Sequence, residues 1–224
     1  MSTVATVLAS SSPSRLSLLR NAGIEPVVIR PQVDEHAVVE RVSPQSVVDE
    51  VALLAQTKAK AVINVLAKDP HEELIGSADT CVLIACDSLL ELDGESVGKP
   101  GDTQATTEVW KRLRGRSAVL HTGHYIAVLR PGHTGWDLVD HADAVGSTVL
   151  HTAPVSDEEI AAYCATGEPF HVAGALTIDG YGAAFVESLE GDHTNVIGLS
   201  IPLARTLITK LGVNWPDLWK ITST

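Results

Sequence analysis

Short apolar runs recur through the first half of the chain, and stretches with apolar residues at helical spacing separate them. The runs at 4–9, 27–30 and 82–85 predict buried strands of a few residues. Two longer apolar runs, 118–129 and 136–150, predict a pair of long strands joined at a tip that contains Pro and Gly. A further short strand is expected at residues 184–189 near the end of the chain.

Capping residues mark the helices between these runs. Ser12 suits an N-cap, Pro13 the first helical position and Gly23 the residue after the helix, so this segment predicts a first helix. Ser43 and Pro44 indicate the start of a long helix that continues to about residue 67. Three more helices are predicted from similar signals: 103–113, the segment after the capping box SDEE at 156–159, and 202–211.

The order of these elements predicts the fold class. Strands alternate with helices through the first half, and two adjacent long strands follow, which indicates an α/β protein with an elongated mixed sheet flanked by helices. Residues 68–80 read as an irregular insertion before the central strand. We find no internal repeat and no interdomain linker, so residues 1–224 are expected to form a single domain.

Composition narrows the function classes. The 224 residues carry a net charge of −12 with only 16 Lys and Arg, which argues against nucleic-acid or anionic-membrane binding by general attraction. The chain has three cysteines and no Cys-x-x-Cys pair, which predicts reduced thiols and a cytoplasmic protein. We expect no signal peptide in the first ten residues and no membrane span.

The stretch 82–100, VLIACDSLLELDGESVGKP, carries the most suggestive chemistry. Asp87 follows an apolar run and is expected at the end of a buried strand, where α/β proteins bind ligands. A hairpin turn is expected at Asp93-Gly94. Lys99, between Gly98 and Pro100, lies on a restrained loop from which its ammonium could reach a phosphate. An ordinary acidic strand end and an ordinary turn remain the alternative.

A serine-rich turn precedes the first helix. Ser12 and its neighbours, with Arg15 in the first turn, would present backbone N–H groups, hydroxyls and a positive charge to an anion. Helix capping alone explains the serines equally well.

Other polar residues are less distinctive. Asp34 and Glu35 follow the second predicted strand and could form a solvated acidic loop. Lys58 lies on the long helix, where most lysines face water. His121 and His124 do not indicate zinc, because their strand-like segment offers neither a helix nor a third ligand.

Taken together, several segments resemble one family in order and spacing. LASSSPSRLSLLRNAGI resembles the amino-terminal motif of Maf proteins, the nucleoside triphosphate pyrophosphatases also called septum formation inhibitors. PQVDE resembles the family's acidic loop, LAQTKAKAV its helix with Lys58, and CDSLLELDGESVGKP its central hairpin. SDEEIAAYCATGEP and AGALTIDGYGAAFVESLEGDHTNVIGL complete a likeness that covers nearly the whole chain.

The resemblance implies a two-lobed fold related to inosine triphosphate pyrophosphatases, with a central cleft, usually as a homodimer. It implies hydrolysis of a nucleoside triphosphate to the monophosphate and pyrophosphate with a divalent cation, Mg²⁺ or Mn²⁺. Asp87 would be the proton acceptor and, with Glu35, a ligand of the metal. The groups expected on the substrate are Lys99, Lys58, Arg15 and Ser10.

Three positions depart from the branch of the family known for dTTP and UTP. That branch has Arg where this chain has Ser14, Gln where it has Asp179, and Thr where it has Ser88. Asp179 is expected to contact the base, so these departures put the base preference in doubt. A nucleotide-binding regulator of cell division, with incidental or no catalysis, is the alternative function, and a nucleotidyltransferase is a weaker third.

Overall fold

Seven strands form one mixed sheet in the computed structural model, which describes residues 3–68 and 75–220. The strands are β1 (Val4–Leu8), β2 (Val27–Val28), β3 (Thr80–Leu92), β4 (Glu95–Val97), β5 (Ser117–Pro131), β6 (Trp136–Thr152) and β7 (Val186–Glu190). Their order is β2-β1-β3-β5-β6-β7, and β4 pairs with β3 beside this path. The β2-β1-β3 part is parallel and the remaining pairs are antiparallel. The predicted mixed α/β sheet is therefore confirmed.

Helices cover both faces of the sheet. They are α1 (Pro13–Asn21), α2 (Glu35–Val42), α3 (Val47–Leu66), α4 (Thr103–Leu113), α5 (Asp157–Ala165), α6 (His193–Ile197) and α7 (Ile201–Lys210). A Ser or Asp side chain at the N-cap of each accepts a backbone N–H from the first turn, which satisfies a donor that the helix itself cannot. No helix among the described residues combines the length and apolar character needed to cross a bilayer.

The long helix predicted to begin at Ser43 begins at Val47, and a shorter helix that was not predicted, α2, precedes it. Asp34, expected in an acidic loop, caps α2. Ser43 ends α2 in a left-handed conformation with φ 53°, and Ser46 rather than Ser43 caps α3. The predicted start was wrong because Ser43-Pro44 has the pattern of an N-cap followed by Pro at the first helical position, whereas Ser43 adopts the left-handed conformation that ends α2.

Other predictions of elements are confirmed with small changes. The turn at Asp93-Gly94 has positive φ at both residues, 58° and 80°, as a two-residue hairpin between twisted strands requires. Strand β2 is two residues long instead of four, and helix α6 was not predicted. Within the predicted insertion, residues 69–74 lie outside the described residues, and Ile75 is buried in the core.

Strand β3 does not end at Asp87, which corrects the expectation from the sequence. It continues to Leu92, and Asp87 pairs with Gly123 of β5 in mid-strand. What ends near Asp87 is the neighbouring strand: β1 pairs with β3 only as far as Ile84, and β4 joins the same edge at Leu90. In the described chain no strand pairs with that edge between these points, which leaves a gap in the sheet beside Asp87.

Successive side chains of β3 point to opposite faces of the sheet, and each face packs into a different hydrophobic cluster. Leu83 and Ala85 pack toward α3, while Ile84 and Cys86 pack toward α1 and α7. Farther along, Leu90 and Leu92 belong to a third cluster with residues of α4 and α5. The second and third clusters define two lobes along the same face of the sheet, and the candidate site lies between them.

Candidate active site

One cavity of about 520 Å³ lies between the two lobes. All seven residues that the sequence predicts for the site line it: Ser10, Arg15, Glu35, Lys58, Asp87, Lys99 and Asp179. They come from six different segments of the chain, so the fold brings together groups that are distant in sequence.

Helix α3 carries Lys58 to the gap in the sheet. Its backbone lies so close to β5 that a Cβ on Gly123 would be 2.2 Å from the carbonyl oxygen of Val51, so only glycine permits this approach. Lys58 Nζ then donates a short hydrogen bond to Asp87 Oδ1 and lies 2.8 Å from Glu35 Oε1. Because Lys58 and Asp87 are both buried, the removal of Lys58 would leave the Asp87 carboxylate without the cation that it contacts directly.

Burial raises the pKa of the Asp87 carboxyl above its ordinary value, and the nearby Glu35 adds to the rise. The positive charges of Lys58 and Arg15 act in the opposite direction and only partly offset burial. A raised pKa makes the carboxylate a better proton acceptor than an exposed Asp, which suits a general base.

Arg15 reaches the cavity from the first turn of α1, on the opposite face of β3. Its Nε donates to the carbonyl oxygen of Gly198 at 2.7 Å, and its Nη2 donates to Ser88 Oγ at 3.0 Å. Nη1 lies 3.4 Å from Ser10 Oγ, which also accepts from the backbone N–H of Ser12. Gly198 has φ 122°, a conformation that favours glycine, so its carbonyl can be aimed at Arg15.

Two residues of this network were not singled out from the sequence. Ser88 was noted only as a departure from Thr, yet it anchors Arg15 and bonds Thr122 Oγ1 at 2.9 Å. Thr122 in turn donates to the carbonyl oxygen of Asn195 at the same distance. No spacing in the sequence links these residues, because Ser88 and Arg15 are 73 positions apart. The alternation of side chains along a strand is the one signal that could have placed Ser88 on the face of β3 opposite Asp87.

Lys99 lies on an exposed loop whose ends are fixed to the second lobe. Gly98 O accepts from the N–H of Gly174 at 3.1 Å, and Gly101 N donates to the carbonyl oxygen of Phe170 at 2.9 Å. Lys99 has no ion pair or hydrogen bond within residues 3–68 and 75–220. Its ammonium is thus presented to the cavity by an anchored loop and can bind an incoming anion.

Asp179 is an exposed residue of the cavity wall. It belongs to the segment Leu176–Asp179, which lines the cavity together with His171–Ala173. This wall has few charged groups, in contrast to the side with Arg15, Lys58 and Asp87. The cavity therefore has a highly charged region and a more apolar region.

Glu35 and Asp87 could hold a divalent metal, since both carboxylates meet at Lys58 Nζ. Glu35 is about half exposed and can reorient. Mg²⁺ is commonly bound by one or two carboxylates plus phosphate oxygens and water, and Mn²⁺ accepts the same oxygen ligands. No cluster of three or more His, Cys, Asp or Glu that could hold an ion occurs in the described part of the chain. The residues present thus fit a metal that enters with a phosphorylated substrate.

The two histidines of the HTGH segment have structural partners. His121 bonds Ser147 and Glu91 through its two ring nitrogens. His124 is buried, with Nδ1 against the carbonyl oxygen of Thr122 and Nε2 accepting from the N–H of Ser200 at 2.8 Å. Neither histidine lines the cavity.

Comparison with known proteins now identifies the family. The model of the family described as Maf-like protein matches residues 5–211. Two proteins named nucleoside triphosphate pyrophosphatase, from Streptomyces coelicolor and Rhodococcus opacus, are each 44% identical over 95% of this chain, covering 93% and 95% of their own lengths. Another protein with the same name, from Salinispora tropica, is 46% identical over 95% of this chain and 86% of its own length.

A solved structure of a HAM1 protein from Coxiella burnetii overlays 94% of this chain and all of that chain at 15% identity, with a TM-score of 0.44. An overlay this loose carries no argument. The family match and the identities above 40% carry the assignment: this chain belongs to the Maf-like protein family.

Proposed function

We propose that this protein hydrolyses a nucleoside triphosphate to the monophosphate and pyrophosphate in the cavity between its lobes. The observation that carries the proposal is the meeting of Asp87, a buried carboxylate of raised pKa, with Lys58 and Arg15 from opposite faces of one strand. The name nucleoside triphosphate pyrophosphatase borne by the relatives supports the same reaction.

In this proposal a water molecule attacks the α-phosphorus, and Asp87 accepts its proton. The bond between the α-phosphorus and the bridging oxygen breaks, and pyrophosphate leaves with the electron pair of that bond. Arg15 and Lys99 bind the phosphate oxygens, and they stabilise the charge that develops on the leaving group. Ser10 and the N–H groups at the start of α1 assist at the phosphates.

Lys58 orients the Asp87 carboxylate and balances its charge before substrate binds. Glu35 and Asp87 would hold the divalent cation, Mg²⁺ or Mn²⁺. When bound, the cation would supply charge neutralisation at the phosphates and lower the pKa of a coordinated water.

We further propose a cytoplasmic homodimer of single-domain chains that limits the incorporation of modified or non-standard nucleotides and is linked to cell-division arrest. The three free, buried cysteines are compatible with a reducing compartment. The alternative is a nucleotide-binding regulator of cell division whose catalysis is incidental. The complete set of acid and cations in one cavity favours the enzyme, because a regulator needs no buried proton acceptor.

The test is pyrophosphate release from a panel of nucleoside triphosphates with Mg²⁺ or Mn²⁺. In water enriched in ¹⁸O, attack at the α-phosphorus places the label in the monophosphate. We expect pyrophosphate and labelled monophosphate in equal amounts. Binding without release of pyrophosphate would favour the regulator, and label in the pyrophosphate would contradict the proposed site of attack.

A further inference from the structure

We propose that Glu168 is a positioning residue that fixes the apolar wall of the cavity for the nucleobase and so sets the affinity for the nucleoside part of the substrate. This inference rests on the proposed function, because it assumes that the ligand is a nucleoside triphosphate. Glu168 itself does not line the cavity, so it acts through the residues it holds.

The carboxylate of Glu168 holds together the two ends of a loop, residues 177–182, through hydrogen bonds. Its Oε1 accepts hydrogen bonds from Tyr163 Oη at 2.9 Å, from Gly182 N at 3.0 Å and from Thr177 Oγ1. Its Oε2 accepts from Tyr181 N at 2.9 Å. One side chain thus connects the end of α5 to both ends of the segment 177–182.

The ends of the segment 177–182 pack so closely against Tyr163 and Glu168 that the backbone has little room to move. A Cβ on Gly182 would lie 2.5 Å from Tyr163 Oη and 2.7 Å from the carbonyl oxygen of Thr177. A Cβ on Gly180 would lie 2.3 Å from Glu168 Oε2. The two glycines let the backbone wrap around the carboxylate, and Ile178 and Asp179 between the loop ends line the cavity.

The wall that Glu168 fixes has the chemistry that suits a base. Leu176 and Ile178 offer apolar surface for a flat ring. The main-chain N–H groups of Ile178 and Asp179 donate to no acceptor within the described residues, so they remain available to the polar edge of a ring. Arg15 and Lys58, which suit phosphates, enter the cavity from α1 and α3. A nucleotide with its phosphates at these two helices would have its base toward this wall.

The charge of Glu168 suits this role. Burial alone would raise the pKa of Glu168, but hydrogen bonds from Thr177, Gly182, Tyr181 and Tyr163 outweigh it and keep the pKa below its ordinary value. An ionised carboxylate only accepts, as four surrounding donors require. In Glu168→Gln one oxygen becomes an NH₂ donor that faces other donors, which should release the loop without a change in side-chain size.

The experiment compares Glu168→Gln with Glu158→Gln, which changes an exposed Glu in the first turn of α5. We would measure KM, kcat and the calorimetric Kd for several nucleoside triphosphates, and the inhibition constant of inorganic tripolyphosphate, a ligand without a base. For Glu168→Gln we expect KM and Kd to rise about tenfold, with reduced discrimination between bases and an unchanged constant for tripolyphosphate. Glu158→Gln should match the native protein.

An equal loss for tripolyphosphate and nucleotides would overturn the inference, and so would an unchanged Kd for every base. If Glu168→Gln does not fold, Tyr163→Phe removes one donor to the carboxylate at a residue that does not line the cavity. It should give a smaller change of the same kind, and an unchanged Kd for every base in this variant would contradict the inference. If the native protein binds nucleotides but releases no pyrophosphate, the proposed function fails, while the Kd comparison still tests the role of Glu168.

Discussion

Asp87 and Ser88 are consecutive residues of β3 whose side chains leave opposite faces of the sheet, and each binds a cation from a different helix. Asp87 pairs with Lys58 of α3, and Ser88 accepts from Arg15 of α1 at 3.0 Å. The two cations reach the same cavity because β1 ends beside Ile84 and opens the edge of β3. The local alternation of a strand thus places an acid and an anchored arginine on either side of one gap.

The position of Lys99 predicts a role on the phosphates. In Lys99→Ala we expect KM to rise and kcat to fall together, because a cation at the phosphates helps binding and helps more as charge develops in the transition state. Lys60→Ala is the matched control, since Lys60 is an exposed lysine of α3 that does not line the cavity. Steady-state kinetics of both variants would test this. If Lys99→Ala changes only the stability of the protein and leaves KM and kcat unchanged, Lys99 has a structural role in the turn and does not bind the phosphates.

The exposed Asp179 predicts a base range different from strict dTTP and UTP preference. An ionised Asp can only accept, whereas Gln both donates and accepts, so Asp179 should disfavour the carbonyl-rich edge of thymine or uracil. We expect Asp179→Gln to shift kcat/KM toward dTTP and UTP relative to CTP, GTP and 7-methyl-GTP. Strict dTTP and UTP selectivity in the native protein would contradict this, as would an identical profile in the variant.

The cysteine beside Asp87 should have no part in catalysis. Cys86 is fully buried toward α1 and α7, and burial raises the pKa of its thiol to about 12, so it stays protonated and unreactive. Cys86→Ser should retain kcat and KM in the folded fraction, with a loss of stability from the buried hydroxyl. A well-folded but inactive Cys86→Ser would indicate a nucleophilic thiol and a different mechanism.

His124 should make stability depend on pH. Burial lowers its pKa from 6.5 to about 4. Its Nε2 accepts from the N–H of Ser200, so a proton on Nε2 would place two N–H donors face to face. The unfolded chain binds the proton more readily than the folded chain. Stability from this group is therefore complete above pH 6.5 and is lost as pH falls toward 4, by at most roughly 3 kcal/mol.

Chemical denaturation across this pH window would measure the effect. The slope of unfolding free energy against pH should flatten in His124→Gln. His133→Gln, in the exposed tip between β5 and β6, is the control and should keep the native slope. Equal slopes in all three proteins would show that His124 titrates alike in the folded and unfolded chains.

Local signals in the sequence were sufficient for most of the elements. The N-caps at Ser12 and Ser156 and the turn at Asp93-Gly94 were predicted correctly, because a few adjacent residues determine each of them. The helix boundary at Ser43 was mistaken, since Ser before Pro resembles an N-cap signal but ends α2.

The relations between distant segments were harder to predict. Asp87 lines the cavity, but it was selected from the sequence for a strand end that does not exist. Pairing partners such as β1 and β4 decide where the edge of β3 opens, and no local pattern encodes that. The same holds for Ser88, which acquires its partner only when α1 packs against the sheet. It also holds for Glu168, whose four donors come from α5 and from both ends of the segment 177–182.

The central claim is that Asp87 accepts the proton of the attacking water, and turnover of Asp87→Asn at saturating nucleotide tests it most directly. The change is nearly isosteric, and Glu35 still balances Lys58, so the protein should fold and bind nucleotide. Asp140→Asn, at an exposed Asp of β6 outside the cavity, is the control. We predict that pyrophosphate release by Asp87→Asn falls about 10²- to 10⁴-fold with nucleotide Kd preserved. Turnover close to that of the native protein would contradict the account.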